Sequence, residues 1–337
     1  MMRAHFSINV TVYSNVYYLY GANAAYLEKK GVMIETENLT KKFGDITAVD
    51  SITLSVNEGE VFGFLGPNGA GKTTFVRMVS CLISRTSGKA RIGDFEIGNS
   101  ADEERIRRII GILPENVGLY EELSAYDNLD FYGRLYRLGE QIRREQIERF
   151  LKMLGLWERR NAPVATYSKG MKQKLAIARA LVHEPRVLFL DEPTSNLDPE
   201  AAKTVRDFIL DLKSEGRTIF MNTHMLDEAE RICDRVAIVK TKLIAVGSPQ
   251  ELRQSLSGRR VRVQVHQLSE PIIAAVKDAG YKVEIEGQNA MVVSVNDFAH
   301  DNPAILKAVQ DAGGSVEFMT ETSFSLEDVY MKLVRGE

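Results

Sequence analysis

Hydrophobic positions recur along this chain in two rhythms. Residues 34–39 and 52–56 alternate apolar with polar side chains, the period-two pattern of half-buried strands. Residues 61–65 (Val-Phe-Gly-Phe-Leu) and 187–190 are short apolar runs, and residues 218–222 and 109–113 likewise read as buried strands. Such runs predict strands of a parallel sheet buried on both faces. A Gly-rich turn after residue 65 leads into a predicted helix over 73–83. Residues 124–181 carry Leu, Ile and Met at helical spacing among many charges, which predicts a mostly helical subdomain over about 116–181. The charged run 141–149 is its solvated face. Strands alternating with helices predict a doubly wound α/β core.

Around Ser248-Pro249 the order changes. Residues 260–266 alternate as a strand, 271–279 read as a helix ending at Gly280, and 281–285 and 291–295 are strands around Gly287. A helix over 302–312 and a strand over 316–319 complete a β-α-β-β-α-β order, which predicts a ferredoxin-like α+β unit. An amphipathic helix over 326–334 follows. The pattern divides the chain into a larger α/β unit over 33–250 and a small accessory unit over 258–337, with no internal repeat.

Composition changes this picture little. The 337 residues are 44% hydrophobic and 26% charged, with 43 Lys and Arg against 46 Asp and Glu. A net charge of −3 gives no reason to expect a nucleic-acid partner. The two cysteines, Cys81 and Cys233, fit no metal site and suit a reducing compartment. No apolar run reaches the ~20 residues of a spanning helix.

Residues 1–32 stand apart: 6–27 are rich in Tyr, broken by Ser and Asn, and without a clear period or a signal-peptide cleavage pattern. Two readings are open. The segment is an extension outside the working protein, with Met33 as initiator and the codons of Lys29-Lys30-Gly31-Val32 supplying a purine-rich ribosome-binding sequence. Alternatively it is an arm that packs its aromatics on a partner.

The chemistry lies in the larger unit. Gly66-Pro67-Asn68-Gly69-Ala70-Gly71-Lys72-Thr73 matches G-x-x-x-x-G-K-[ST], between a buried strand and a helix, and Thr74 follows it. Its glycines let successive N–H groups turn inward as an anion nest, and the helix N-terminus adds partial positive charge. Lys72 is expected to reach the β- and γ-phosphates of ATP, and the Thr73 hydroxyl to bind Mg²⁺. Asp191, ending the apolar run Val187-Leu188-Phe189-Leu190, is placed to hold the metal's shell. Glu192 is placed to orient or deprotonate the attacking water.

Further motifs carry a family resemblance. Tyr167-Ser168-Lys169-Gly170-Met171-Lys172-Gln173 resembles the ABC signature, Ser195-Asn196-Leu197-Asp198 the D-loop, and His224 the switch histidine. Phe43, in Lys41-Lys42-Phe43-Gly44, matches the aromatic that stacks on adenine. In isolation Ser168 reads as a helix N-cap and His224 as a core histidine; the order of motifs favours the resemblance. The chain is therefore similar to the ATPase subunits of ABC transporters. That implies a P-loop core of ABC type and a head-to-tail dimer with ATP in the interface. Ser168, Gly170 and Asp198 would act across the dimer, and His224 would touch the γ-phosphate. It also implies a separate membrane permease, docked by a short helix near Glu115, and a place on the cytoplasmic face of the cell membrane.

Three positions depart from the commonest pattern: Lys169 for Gly, Met171 for Gln, and Glu115 for the Q-loop glutamine. With the C-terminal segment Ser325-Leu326-Glu327-Asp328-Val329-Tyr330 they resemble the branch of antibiotic-resistance and sodium-extrusion exporters. A carboxylate at Glu115 is able to sense either Mg²⁺ or the lytic water. A translation factor would carry two ATPase cores and a repair clamp a long coiled-coil insertion, and the chain shows neither; a ligand-binding ATP sensor is the third reading.

Overall fold

The unbroken apolar runs form the centre of a sheet. In the computed structural model, which describes residues 9–13, 16–20, 31–255, 259–322 and 324–335, Val61–Leu65 and Val187–Asp191 are buried at every position. Thr218–Thr223 lies between them, equally buried and parallel to both. Ile110–Leu113 extends the parallel sheet on one side and Arg235–Lys240 on the other. Registers Thr223↔Leu65 and Asn222↔Asp191 bring the carboxyl ends of the three central strands level, where α/β sheets bind ligands. Phe64, Phe75 and Phe220 stack beneath that edge, with ring centroids 4.7–5.7 Å apart. Each such buried ring contributes roughly 1.5–3 kcal/mol.

The alternating segments lie elsewhere. Val32–Phe43 and Ile46–Asn57 pair antiparallel and are joined by Ser87–Ile92 and Phe95–Glu96 in a separate four-stranded sheet. One of its faces is covered and the other solvated, which is what period-two alternation encodes.

The helix predicted over 73–83 runs from Lys72 to Val79. Ser80 turns its hydroxyl back onto the Val76 carbonyl (2.7 Å), and Cys81, at φ 58, ends the helix in the left-handed region. Within residues 1–32 the reading found no strand pattern, yet Asn9–Tyr13 and Val16–Tyr20 pair antiparallel. The second runs parallel to Lys242–Gly247 at Tyr17↔Ala245 and Tyr18↔Val246. Tyr and Val favour strands, and an open sheet edge accepts one. Residues 21–30, with Lys29 and Lys30 of the proposed ribosome-binding codons, lie outside the described residues.

The helical subdomain comprises Ala125–Leu135, Glu140–Met153 and Lys169–Leu181, with two short 3₁₀ turns between. Just past the last helix His183 is half-buried, its ring 3.6 Å from that of Tyr136 and Nε2 2.8 Å from the Ile110 carbonyl. Burial pulls its pKa from 6.5 down to about 4, against the pull of that carbonyl. A folded pKa below the unfolded one means the contribution is complete above pH 6.5 and is lost as pH falls toward 4. The stability of wild type minus that of His183→Gln, read from urea midpoints, is expected to drop by on the order of 3 kcal/mol over that window. A difference flat from pH 7 to 4 would count against a neutral buried imidazole.

Residues 1–249 and 250–337 form two compact units. In the second the strand order is Val283–Glu286, Ala290–Val295, Arg259–Val265, Val316–Thr322, all neighbours antiparallel. In chain order that is 2-3-1-4, the ferredoxin-like arrangement, with Glu270–Asp278 and Phe298–Asp311 as its helices. The second helix starts four residues before the predicted 302. Asp301 accepts the backbone N–H groups of Asn296 (2.7 Å) and Asp297 (3.0 Å) and so secures the earlier turn. Among the described residues no helix is long and apolar enough to cross a membrane.

Candidate nucleotide site

The loop between Leu65 and Lys72 is held where only glycine fits. A Cβ at Gly66 would lie 2.4 Å from the Val239 carbonyl oxygen. One at Gly71, which caps the next helix at φ 91, would lie 2.2 Å from that of Ala48. The loop opens on a cavity of about 430 Å³ lined by Pro67, Asn68, Gly69, Ala70, Gly71, Lys72, Thr73 and Thr74. Glu115, Asp191, Glu192 and His224 line it too, so residues far apart in the chain meet in one cleft. Ala48 and Ser195 complete the wall.

Lys72 is 8% exposed, and its ammonium donates to the carbonyls of Gly66 (2.7 Å) and Pro67 (3.3 Å). Burial lowers its pKa, while Glu192, Asp191 and Glu115 act to raise it. The Thr73 hydroxyl donates to Asp191 Oδ2 at 3.0 Å, joining the helix to the end of the neighbouring strand. Glu192 sits at φ 50, its N–H bonded to the Asn222 carbonyl (3.0 Å). Its carboxylate accepts from the Thr223 hydroxyl (3.4 Å) and meets His224 Nδ1 at 2.8 Å. Asn222, fully buried, donates Nδ2 to Asp191 Oδ1 at 3.2 Å and so braces both acids, while its own Oδ1 has no partner among the described residues.

A family model described as ABC transporter matches residues 49–195. A second, described as ATP-binding protein DrrA1-3-like, C-terminal domain, matches 247–334. The daunorubicin resistance ATP-binding protein DrrA3 of Streptomyces coeruleorubidus is 33% identical over 303 residues, 89% of this chain and 95% of that protein. The chain belongs to the ATP-binding subunits of ABC transporters. The linearmycin resistance ATP-binding protein LnrL of Bacillus subtilis (strain 168) is 34% identical over 251 residues, 74% of this chain and 80% of LnrL. Among solved structures, the ATP-binding cassette MJ0796, a dimer in a post-hydrolysis state bound to ADP and Pi, superposes with a TM-score of 0.59. It is 28% identical and covers 64% of this chain and 98% of its own. ABC ATP-binding subunits bind ATP and hydrolyse it to power transport, and this chain is such an ATPase.

Not every residue singled out from the sequence lines the cleft of this ABC subunit. Gly66 lies just behind it, where its missing side chain lets Val239 approach. Phe43 is half exposed at the hairpin turn, with the Lys41 ammonium 5.0 Å from its ring centre; the hairpin's other strand supplies Ala48. Ser168 caps the helix Lys169–Leu181, its Oγ accepting from the Met171 N–H at 3.2 Å, and Gly170 faces Ala201 of the same chain. Asp198 caps Pro199–Ser214 through the Ala201 N–H at 2.8 Å. Ser168, Gly170 and Asp198 are thus away from this chain's own cleft. Gln173 Nε2, donating to the Pro193 carbonyl at 2.9 Å, links the signature helix to the turn after Glu192.

Ala48, Ser195 and Asn222 were not singled out as site residues. Asn222 left a signal, an amide at the end of an otherwise apolar buried strand, Thr-Ile-Phe-Met-Asn-Thr.

Proposed function

We propose that this chain is the motor of an exporter, clamping two ATP molecules between two copies of itself and driving a separate permease. The observation that carries the reading is the division of the motifs. Loop, metal-side acid and candidate base share one cleft, whereas Ser168 and Gly170 stand on an exposed helix start outside it. A second subunit, turned head to tail, brings a free hydroxyl and N–H groups to the γ-phosphate that one subunit leaves uncovered. Export follows the relatives, whose names are of drug-resistance proteins.

The cleft fits magnesium. Thr73 Oγ1, Asp191 and Glu115 are hard oxygen donors, and three carboxylates surround the single Lys72 charge. Bound there, the ion would neutralise charge on the phosphate oxygens. Lys72 would turn from the loop carbonyls to the phosphates, and Glu192, held by Thr223 and His224, would take the proton of the attacking water.

On the helical subdomain Tyr120, Phe131 and Leu135 are 46%, 39% and 60% exposed, an apolar surface suited to a permease helix. That would hold the chain at the cytoplasmic face of the membrane. The tagged protein, purified from solubilised native membranes, is expected to bring down a polytopic permease. A chain recovered alone in every detergent would contradict the reading.

The residues that line the cleft run from Ala48 to His224, all within the larger unit. We take the unit beyond residue 257, which carries no phosphate-binding motif, as an accessory domain, so truncation there is expected to change ATP affinity by less than about twofold, a small fraction of the binding free energy. Loss of affinity in a folded truncation would assign it a part in the site.

A further inference from the structure

Glu115 stands two residues beyond the strand Ile110–Leu113, on an exposed turn. A carboxylate on an exposed turn is not held in place by its neighbours in sequence. Both flanks of this turn are nevertheless gripped by one helix and the residue just past its end. Arg179, in the buried half of the signature helix Lys169–Leu181, is 8% exposed. Its guanidinium donates to the carbonyls of Val117 and Gly118, the latter at 2.9 Å, and lies 5.1 Å from the Tyr132 ring centre. One turn further on, His183 meets the Ile110 carbonyl at 2.8 Å. Between these grips the helix backbone touches the strand itself, since a Cβ at Gly111 would lie 2.2 Å from the Ala180 carbonyl oxygen.

The grip continues downstream. Asn128, fully buried, donates to the Tyr120 carbonyl at 2.9 Å and accepts the Tyr120 N–H at 3.0 Å. Lys172, near the start of the signature helix, pairs with Glu121 at 2.7 Å. The chain from 110 to 121 therefore follows the signature helix along much of its length. Within that stretch residues 114–116 are exposed at three successive positions, and they carry Glu115.

We propose that Arg179 is the positioning residue for Glu115, fixing through the Val117 and Gly118 carbonyls where that carboxylate stands in the nucleotide cleft. A planar fork is suited to this task. Its Nη1 donates to both adjacent carbonyls while the plane of the group stays over the Tyr132 ring, and a lysine, which lacks that plane, does not reproduce the combined geometry. The helix that Arg179 occupies begins at Ser168, so the same rigid element sets Glu115 at one nucleotide and the signature serine at the other. Movement of the helical subdomain would be transmitted to Glu115 without any residue crossing the cleft. The proposal rests on the reading of Glu115 as a site residue.

The test is a double-mutant cycle on the full-length protein, reading kcat and KM for ATP with Arg179→Lys, Glu115→Ala and the pair. Arg179→Lys is expected to lower kcat about fivefold or more, with KM within about twofold, because the P-loop is untouched. In the Glu115→Ala background the same change is expected to alter kcat by less than about 1.5-fold, since the group it positions is gone. An equal loss in both backgrounds, or a lowered melting temperature with kcat intact, overturns the proposal. A Glu115→Ala protein with unchanged kcat removes the reading of Glu115 instead, and the positioning role falls with it. Should Arg179→Lys fail to fold, Tyr132→Leu, which removes the ring beneath the guanidinium, is expected to show the same Glu115-dependent loss at smaller size, and additivity there is equally decisive.

Discussion

Glu192→Gln is expected to bind ATP as wild type does and to lose turnover by about 10²–10⁴-fold, the usual contribution of a positioned general base. The amide matches the carboxylate in shape, keeping an oxygen to accept from the Thr223 hydroxyl and placing its NH2 toward His224 Nδ1. It has no basicity with which to take a proton from water. The backbone of Glu192, at φ 50 and bonded to the Asn222 carbonyl, does not depend on the side chain. Phosphate release under single-turnover conditions separates this from slowed product release. Retention of more than about a tenth of the wild-type rate would mean that another group acts as base.

Lys72→Ala is expected to weaken ATP binding by about 10–150-fold, equivalent to the 1.5–3 kcal/mol of a hydrogen bond to a charged group. Glu115, Asp191 and Glu192 line the same cleft, and without Lys72 no cationic side chain among the lining residues offsets them. The polyphosphate would then meet an acidic wall. Titration calorimetry with ATP and with adenosine tells the two contributions apart: adenosine, which has no phosphate, should bind the variant and the wild type alike. Unaltered ATP affinity would show that the ammonium stays on the Gly66 and Pro67 carbonyls.

What the sequence made legible follows from how local each signal is. The phosphate loop is eight consecutive residues with its strand before and helix after, so its position could be read without knowing any tertiary contact. The fully buried strands Val61–Leu65 and Val187–Asp191 are unbroken apolar runs, and nothing else so short and apolar is stable except between two layers. Signals dispersed over distance were lost. Ser87–Ile92 (Ser-Gly-Lys-Ala-Arg-Ile) is a strand because it pairs with Val32–Phe43 some fifty residues away, and its own composition is weak. Ser100–Ile109 is helical with only Ile106 buried, so it shows almost no apolar stripe. Asn222 reaches Asp191 across 31 positions and Arg179 reaches Val117 across 62, and neither spacing has a periodicity to betray it.

The departures in the signature, Lys169 and Met171, are explicable in the fold. Both follow the N-cap Ser168, where the helix requires backbone N–H groups and sets few demands on side chains. Gly170 does not share that tolerance, because a Cβ there would come within 3.1 Å of the Ala201 methyl, in the helix that Asp198 caps.

The two-copy clamp is tested most directly by the mass of Glu192→Gln in solution, measured by light scattering on a gel-filtration column with and without saturating Mg-ATP. The protein is expected to run as a monomer alone and as a dimer with nucleotide. Adding Ser168→Glu, which in the proposed clamp would place a carboxylate against the γ-phosphate of the partner's ATP, is expected to return it to monomer with ATP still bound. A Glu192→Gln protein that stays monomeric at saturating Mg-ATP, or a dimer indifferent to Ser168→Glu, would contradict the clamp.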